Sequence, residues 1–387
     1  MLATLLLLCG LAAPLHNGPH DGPHHEHPQS ETPVWEHAPK ASGPVWVGSG
    51  DHRYLWNADW LQLPAERDWL GSTHGCIAID REDHIYFSAD TGPAILIYGR
   101  DGKLLRTMGS DWGAGVHGLS LVAERKRTVE ADKVPAVASG AWAPDDANWQ
   151  NYGQVLWVAH TARHEVFKTD LTGKVLLRIP WPEASGHYTD PEQYKPTGVV
   201  VGPDGTVLVA DGYGRSWVHR FDSEGHYLDS FGGPGDEPQN LNTPHGLWID
   251  WSADVPTLLV ADRENHRIVR FSLKGEYLGS SDPSSGLLRR PCHVQFRGDL
   301  GVVSDLAGRI TLLDRNLELV AQLGDNPKED QRAQYQVPPQ DWREGAFCAP
   351  HCAAIDSAGN LYVMDWNIAG RFTRLEPAPE PTPDAAK

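Results

Sequence analysis

The stretch PHGLWIDWSADVPTLLVADRENHRIVRFSLKGEYLGS, residues 244–280, reads as four short strands in succession. Runs of alternating or β-branched residues are separated by turn signals such as the LKG at 273–275. The same template recurs. It appears at 196–232 as PTGVVVGPDGTVLVADGYGRSWVHRFDSEGHYLDSFG and at 291–324 as PCHVQFRGDLGVVSDLAGRITLLDRNLELVAQLG. Residues 74–109, HGCIAIDREDHIYFSADTGPAILIYGRDGKLLRTMG, form another copy. A further copy opens with VHGLSLV at 116–122 and resumes with VLWVAHTARHEVFKTDLTGKVLLRIP at 155–180. The last begins PHCAAIDSAGNLYVMDWN at 350–367. A period of roughly 40 to 50 residues with four strands per unit is the signature of a β-propeller.

Six units fill residues 43–376, which predicts an all-β, six-bladed propeller with four antiparallel strands per blade. A lone four-stranded sheet cannot cover both its faces, so the blades must pack on one another. The sixth unit lacks an outer strand. The early segment PVWVGSGDHRYLWNADW, 44–60, is predicted to supply it and close the ring. Residues 122–154 interrupt blade two and are expected to form a long loop on one face of the disc, a usual place for function.

Composition agrees with this architecture. Of 387 residues, 40% are hydrophobic, enough for a sizeable core; 39 Gly and 30 Pro suit many turns, and 15 Trp supply large flat side chains for packing between sheets. The net charge of −18 repels nucleic-acid phosphates and anionic lipid, so neither is an expected partner. The apolar run LATLLLLCGLAA at 2–13 is too short to span a bilayer and reads as an export signal over 1–13. Secretion or a periplasmic location follows, with no membrane insertion. Residues 14–42, rich in His, Pro and Gly, read as a disordered linker, and 377–387 as a disordered tail. The four cysteines after the signal, Cys76, Cys292, Cys348 and Cys352, are too few for a disulfide scaffold. Packing or one isolated bridge are the readings for Cys348 and Cys352.

The first strand of each unit should line the central channel. Aligning the units puts His117, His245, His293 and His351 at one position, with Thr197 there in blade three and Gly75 in blade one, where His74 lies one residue early. Blades two, four and six are related by a pseudo-threefold axis, so His117, His245 and His351 are expected to converge. Three neutral imidazoles with an open position suit zinc. The other assignment is channel lining bonded to water and backbone. His74 and His293 are additional candidate ligands. At the end of each second strand a recurrent Asp (Asp211, Asp262, Asp305, Asp365) should accept backbone hydrogen bonds in the turn. Tyr213 and Arg263 follow two of these and are expected over the same mouth. A Tyr beside a metal and a guanidinium would have a lowered pKa and act as a base, and the Arg would hold a carboxylate.

VAD followed by ENHRIVRF is the pattern of the NHL repeat, and the stretch from Pro196 to Phe271 resembles peptidyl-α-hydroxyglycine α-amidating lyases. That resemblance implies a zinc-dependent carbon–nitrogen lyase that splits an α-hydroxyglycine-type substrate into an amide and glyoxylate. It matches the family's catalytic Tyr to Tyr213 in its DGY segment and the catalytic Arg to Arg263 in ADREN. His117, His245 and His351 match the zinc histidines. A calcium backbone ligand would correspond to Leu119, but the family's calcium-binding Asp is Cys352 here. The family's Cys beside the catalytic Tyr is Gly214, and its substrate-binding Arg in blade one has no counterpart near Asp90-Thr91. The expected partner is a small-molecule or peptide substrate. The alternative is a non-enzymatic exported propeller that binds a protein or ligand on its face. A propeller lactonase would want carboxylates as metal ligands, where this ring offers imidazoles.

Overall fold

The computed structural model describes residues 35–65, 67–130, 135–137 and 147–378. Two short N-terminal strands come first, β1 (Trp46–Val47) and β2 (Tyr54–Asn57). Blade one holds β3 (Ile77–Ile79), β4 (Ile85–Ser88), β5 (Ile95–Tyr98) and β6 (Leu104–Met108). Blade two holds β7 (Val116–Arg125), β8 (Tyr152–His160), β9 (Glu165–Thr169) and β10 (Val175–Pro180). Blade three holds β11 (Gly198–Val201), β12 (Val207–Ala210), β13 (Trp217–Phe221) and β14 (Tyr227–Gly232). Blade four holds β15 (Pro244–Asp250), β16 (Thr257–Asp262), β17 (Arg267–Ser272) and β18 (Tyr277–Ser280). Blade five holds β19 (Pro291–Arg297), β20 (Leu300–Asp305), β21 (Arg309–Leu313) and β22 (Leu319–Leu323). Blade six holds β23 (Pro350–Ile355), β24 (Leu361–Asp365) and β25 (Arg371–Pro377).

Every blade is an antiparallel meander, and the chain is a six-bladed β-propeller. The sixth sheet runs β1-β2-β25-β24-β23, so the N-terminal segment supplies the outer strand of the C-terminal blade. Tyr54 pairs with Pro377 and Asn57 with Arg374. Trp56 is buried in that seam, its ring 4.5 Å from Phe347. This pairing joins the two ends of the chain and leaves the ring without an open edge at the join.

The core lies between blades. Val200, Leu208 and Val218 of blade three pack against Leu247, Leu258, Val260 and Phe271 of blade four in one buried cluster. Similar clusters join blades four to five and five to six. Fully buried Phe271 alone gains about 2–3 kcal/mol from removal of its apolar surface from water. The recurrent aspartates have the structural role expected of them. Asp211 accepts from the amides of Lys195 (2.7 Å) and Arg215 (2.6 Å), and Asp305 from those of Arg289 (2.8 Å) and Arg290 (2.6 Å). Each carboxylate ties the segment entering its blade to the end of that blade's second strand.

Two boundaries differ from expectation. β7 continues through Arg125 and β8 begins at Tyr152, because Val122 pairs with Val155 and Arg125 with Tyr152. The interruption in blade two is therefore confined to residues 126–151. The charged pair Glu124–Arg125 reads as loop, yet Glu124 is held by Trp157 and Lys168 on the sheet. At the other end β25 includes Pro377. The expected export signal, residues 14–34 of the linker and the tail from 379 lie outside the described residues; residues 35–42 carry no strand. Among the described residues no helix is long and apolar enough to cross a membrane.

Candidate metal centre and active site

The first strands of four blades slip by one residue against their second strands. The slips lie between Val116 and Gly118, Pro244 and Leu247, Pro291 and His293, and Pro350 and Cys352. A bulge at a strand start re-aims the extra side chain. The side chains so placed include His117, His245, Cys292 and His351, and all four line the same central cavity.

His117, His245 and His351 come from alternate blades and face one another almost symmetrically. Their ring centroids are 4.7, 4.7 and 5.0 Å apart. The intervening blades contribute backbone. Nδ1–H of His117 donates to the Thr197 carbonyl (2.8 Å), that of His245 to Cys292 (2.9 Å) and that of His351 to Gly75 (2.8 Å). Each bond fixes one tautomer and turns the Nε2 lone pair toward the axis, the arrangement that orients metal-binding imidazoles. Glycines make room for it. A Cβ on Gly246 would lie 2.6 Å from the Cys292 carbonyl oxygen, and one on Gly118 2.6 Å from that of Thr197.

All three imidazoles are held neutral. Burial pushes His117 down to about 4 and holds His245 and His351 well below the ordinary range. The buried Nε2 of His351 has no hydrogen-bond partner. A cavity of about 20 Å³, lined by the three histidines and by Leu119, His293 and Cys352, adjoins the rings and has room for one water. Neutral, convergent imidazoles with an unmatched lone pair fit zinc.

Tyr213 sits at this convergence. Its hydroxyl is 2.9 Å from His245 Nε2, 3.3 Å from His117 Nε2 and 3.2 Å from His74 Nε2. Arg263 Nη1 donates to the same oxygen at 3.3 Å, and the guanidinium lies 5.3 Å from the ring centre. Arg263 begins the short turn after β16, and Glu264 beside it accepts from its Nε at 2.8 Å. Glu264 also pairs with Arg290 of blade five. The two cations are thereby held in one place at the mouth. Without a metal, burial pushes the Tyr213 phenol up to about 12, while Arg263 pulls it down. Sequence reasoning missed Glu264, although it stands next to Arg263 in the ADREN segment.

His74 reaches over from blade one. Its ligating atom and those of His117 and His351 lie within 4.8 Å of one another, and its ring is 5.7 Å from that of Trp366. His293 does not share the position assigned to it. Pro291 pairs with Asp305 as Pro244 pairs with Asp262, so Cys292 is the counterpart of His245. His293 falls one residue later, in a deeper layer with Cys76 and Cys352. Leu119 borders that layer, but no carboxylate lines the cavity. A hard cation such as calcium has no anionic oxygen there, and the residues do not fit it. The four cysteines are free and buried. Cys348 packs near Arg371, while Cys352 faces Cys76 across the seam between blades six and one.

The NHL repeat family matches residues 194–221. A Caenorhabditis elegans protein named probable peptidyl-alpha-hydroxyglycine alpha-amidating lyase is 33% identical over 120 residues, 30% of this chain and 33% of that protein. Peptidyl-alpha-hydroxyglycine alpha-amidating lyase 2 of Drosophila melanogaster is 32% identical over 114 residues, 29% of this chain and 27% of that protein. The chain thus spans about a third of the length of these relatives or less. Among solved structures, a streptogramin B lyase aligns over 84% of this chain and 97% of its own, with a TM-score of 0.51 and 13% identity; the likeness is one of fold. The chain is a six-bladed propeller in which residues 194–221 match the NHL repeat, and the curated proteins it resembles over about a third of their length or less are named as amidating lyases.

Proposed function

We propose that the chain is a zinc-dependent lyase that splits a peptidyl- or acyl-α-hydroxyglycine into an amide and glyoxylate. The observation that carries this reading is the position of the Tyr213 hydroxyl. It lies within hydrogen-bond distance of two imidazoles of the triad and of the Arg263 guanidinium. His117, His245 and His351 would hold the ion. Zinc there would supply positive charge that polarises the substrate's hydroxyl oxygen and eases ionisation of Tyr213.

The protein's own groups then have defined tasks. Tyr213, as phenolate, takes the proton of the substrate hydroxyl. The carbon–oxygen double bond of glyoxylate forms as the carbon–nitrogen bond breaks, and the departing nitrogen takes up one proton to become the amide. Atoms balance with no oxidant or co-substrate. Arg263 pairs with the carboxylate and stabilises negative charge as it develops, and Glu264 keeps the guanidinium in place. The names of the relatives support the reaction class, and the contacts of Tyr213 and Arg263 support its assignment to this site. The test is turnover of a small N-acyl-α-hydroxyglycine. Activity should be lost on chelation and return with zinc. A zinc-loaded protein without turnover favours a binding role for the propeller face.

A further inference from the structure

One layer deeper than the triad, three more ligating side chains meet. They are Cys76 of blade one, His293 on β19 of blade five and Cys352 on β23 of blade six. Their ligating atoms all lie within 4.8 Å of one another. Blades five, six and one are consecutive around the ring, so the cluster bridges the place where the chain's two ends meet.

The cluster is badly matched as bare protein. The two Sγ atoms approach to 2.9 Å in a buried site. The buried Nδ1 of His293 has no hydrogen-bond partner. Two backbone amides are directed at the sulfurs: Ile77 N–H donates to Cys352 Sγ at 3.1 Å, and the Leu119 amide faces Cys76. His293 meets Cys76 in a side-chain hydrogen bond, so the three side chains are already in mutual contact, and only its Nδ1 is left without a partner. Two thiolates and an imidazole without a carboxylate select a thiophilic ion over a hard one.

We propose that Cys76, His293 and Cys352 form a second metal site, distinct from the imidazole triad, that takes zinc and ties blade one to blades five and six. Two thiolates neutralise the dication, and the imidazole completes three protein ligands. The Ile77 carbonyl, 3.6 Å from Cys76 Sγ and 3.9 Å from Cys352 Sγ, is near enough to serve the fourth position. Because Cys76 and Cys352 are 276 positions apart in sequence, the ion closes a very long loop and acts as a latch on the ring. This site does not depend on the lyase reading.

Cobalt substitution separates the two sites. Bound thiolate gives Co(II) an intense near-ultraviolet charge-transfer absorption that nitrogen donors alone do not. Cys292 borders the triad, so the spectrum is taken in both the native chain and Cys292→Ala. The proposal expects two ions per chain and a thiolate band that survives Cys292→Ala and His245→Ala. It expects the band and one ion to disappear in Cys352→Ala, and one ion to be lost in His293→Ala. Where Cys352→Ala does not fold, the native spectrum and His293→Ala decide. A metal-loaded native chain without a thiolate band, or a band that vanishes in Cys292→Ala, overturns the proposal. So does recovery of Cys76 and Cys352 as a disulfide-linked peptide pair from unreduced protein.

Discussion

Replacing Tyr213 by Phe removes one oxygen atom from the centre of the site and little else. That oxygen touches His245 Nε2 at 2.9 Å, His74 Nε2 at 3.2 Å, His117 Nε2 at 3.3 Å and Arg263 Nη1 at 3.3 Å. The imidazoles keep their Nδ1 bonds to the Thr197, Cys292 and Gly75 carbonyls. Arg263 keeps Glu264. Loss of hydrogen bonds to a partly buried hydroxyl costs about 1 kcal/mol, too little to unfold a propeller of this size. The kinetic cost is larger. A phenol at about 12 ionises at pH 7 at an expense of about 7 kcal/mol, an upper figure since Tyr213 is partly exposed. A site that concentrates cations around one phenol oxygen is built to reduce that expense. A positioned base contributes about 10²–10⁴-fold. The variant should therefore lose about that factor in kcat on an N-acyl-α-hydroxyglycine, with KM little changed, zinc content unchanged and thermal midpoint within a few degrees. Turnover within about tenfold of the native protein would remove Tyr213 from the chemistry. Loss of zinc would mean that its hydroxyl belongs to the metal's own ligand set.

Further perturbations probe the frame around this centre. Gly246→Ala puts a Cβ 2.6 Å from the Cys292 carbonyl oxygen and 2.9 Å from His293 Cα, so the acceptor that orients His245 must move. Zinc affinity should fall about 10–100-fold with the fold intact, as read by competition with a chelator; unchanged affinity would show that this bond does not set the imidazole. In metal-free protein, acid should remove the triad's own contribution to stability. His117 is lowered from an ordinary 6.5 to about 4, and His245 and His351 shift the same way. The unfolded chain gains protons first as pH drops. The stability held by neutral His117 is complete above about 6.5 and is lost as pH falls through about 4, a loss of about 3 kcal/mol. The His117 ring in metal-free protein, followed by NMR, should stay neutral down to about 4; protonation near 6.5 would contradict this. Trp56→Ala empties the seam between the N-terminal strand and Phe347, at about 3–5 kcal/mol. Its thermal midpoint should drop by on the order of 10 °C; a shift of a degree or two would mean that ring closure adds little stability.

Much of this architecture is legible in the sequence because propeller blades carry local signals. Turn residues punctuate every hairpin, and blade six visibly lacks an outer strand that YLWN at 54–57 can supply. Convergence of His117, His245 and His351 follows from blade count alone, since alternate blades share a threefold relation. What escaped was carried by backbone. The carbonyls of Gly75, Thr197 and Cys292 that orient the imidazoles have no sequence identity to align on. The register of blade five was misjudged because His293 was matched by residue type across a bulge. Counting from Pro291 places Cys292 beside the histidines instead.

The central claim meets its most direct test in one assay: glyoxylate release from a small N-acyl-α-hydroxyglycine by the zinc-loaded protein, beside a His245→Ala control. The account predicts stoichiometric amide and glyoxylate from the native chain and none above background from the control. No glyoxylate from a folded, zinc-loaded native chain, or equal release from His245→Ala, would contradict it.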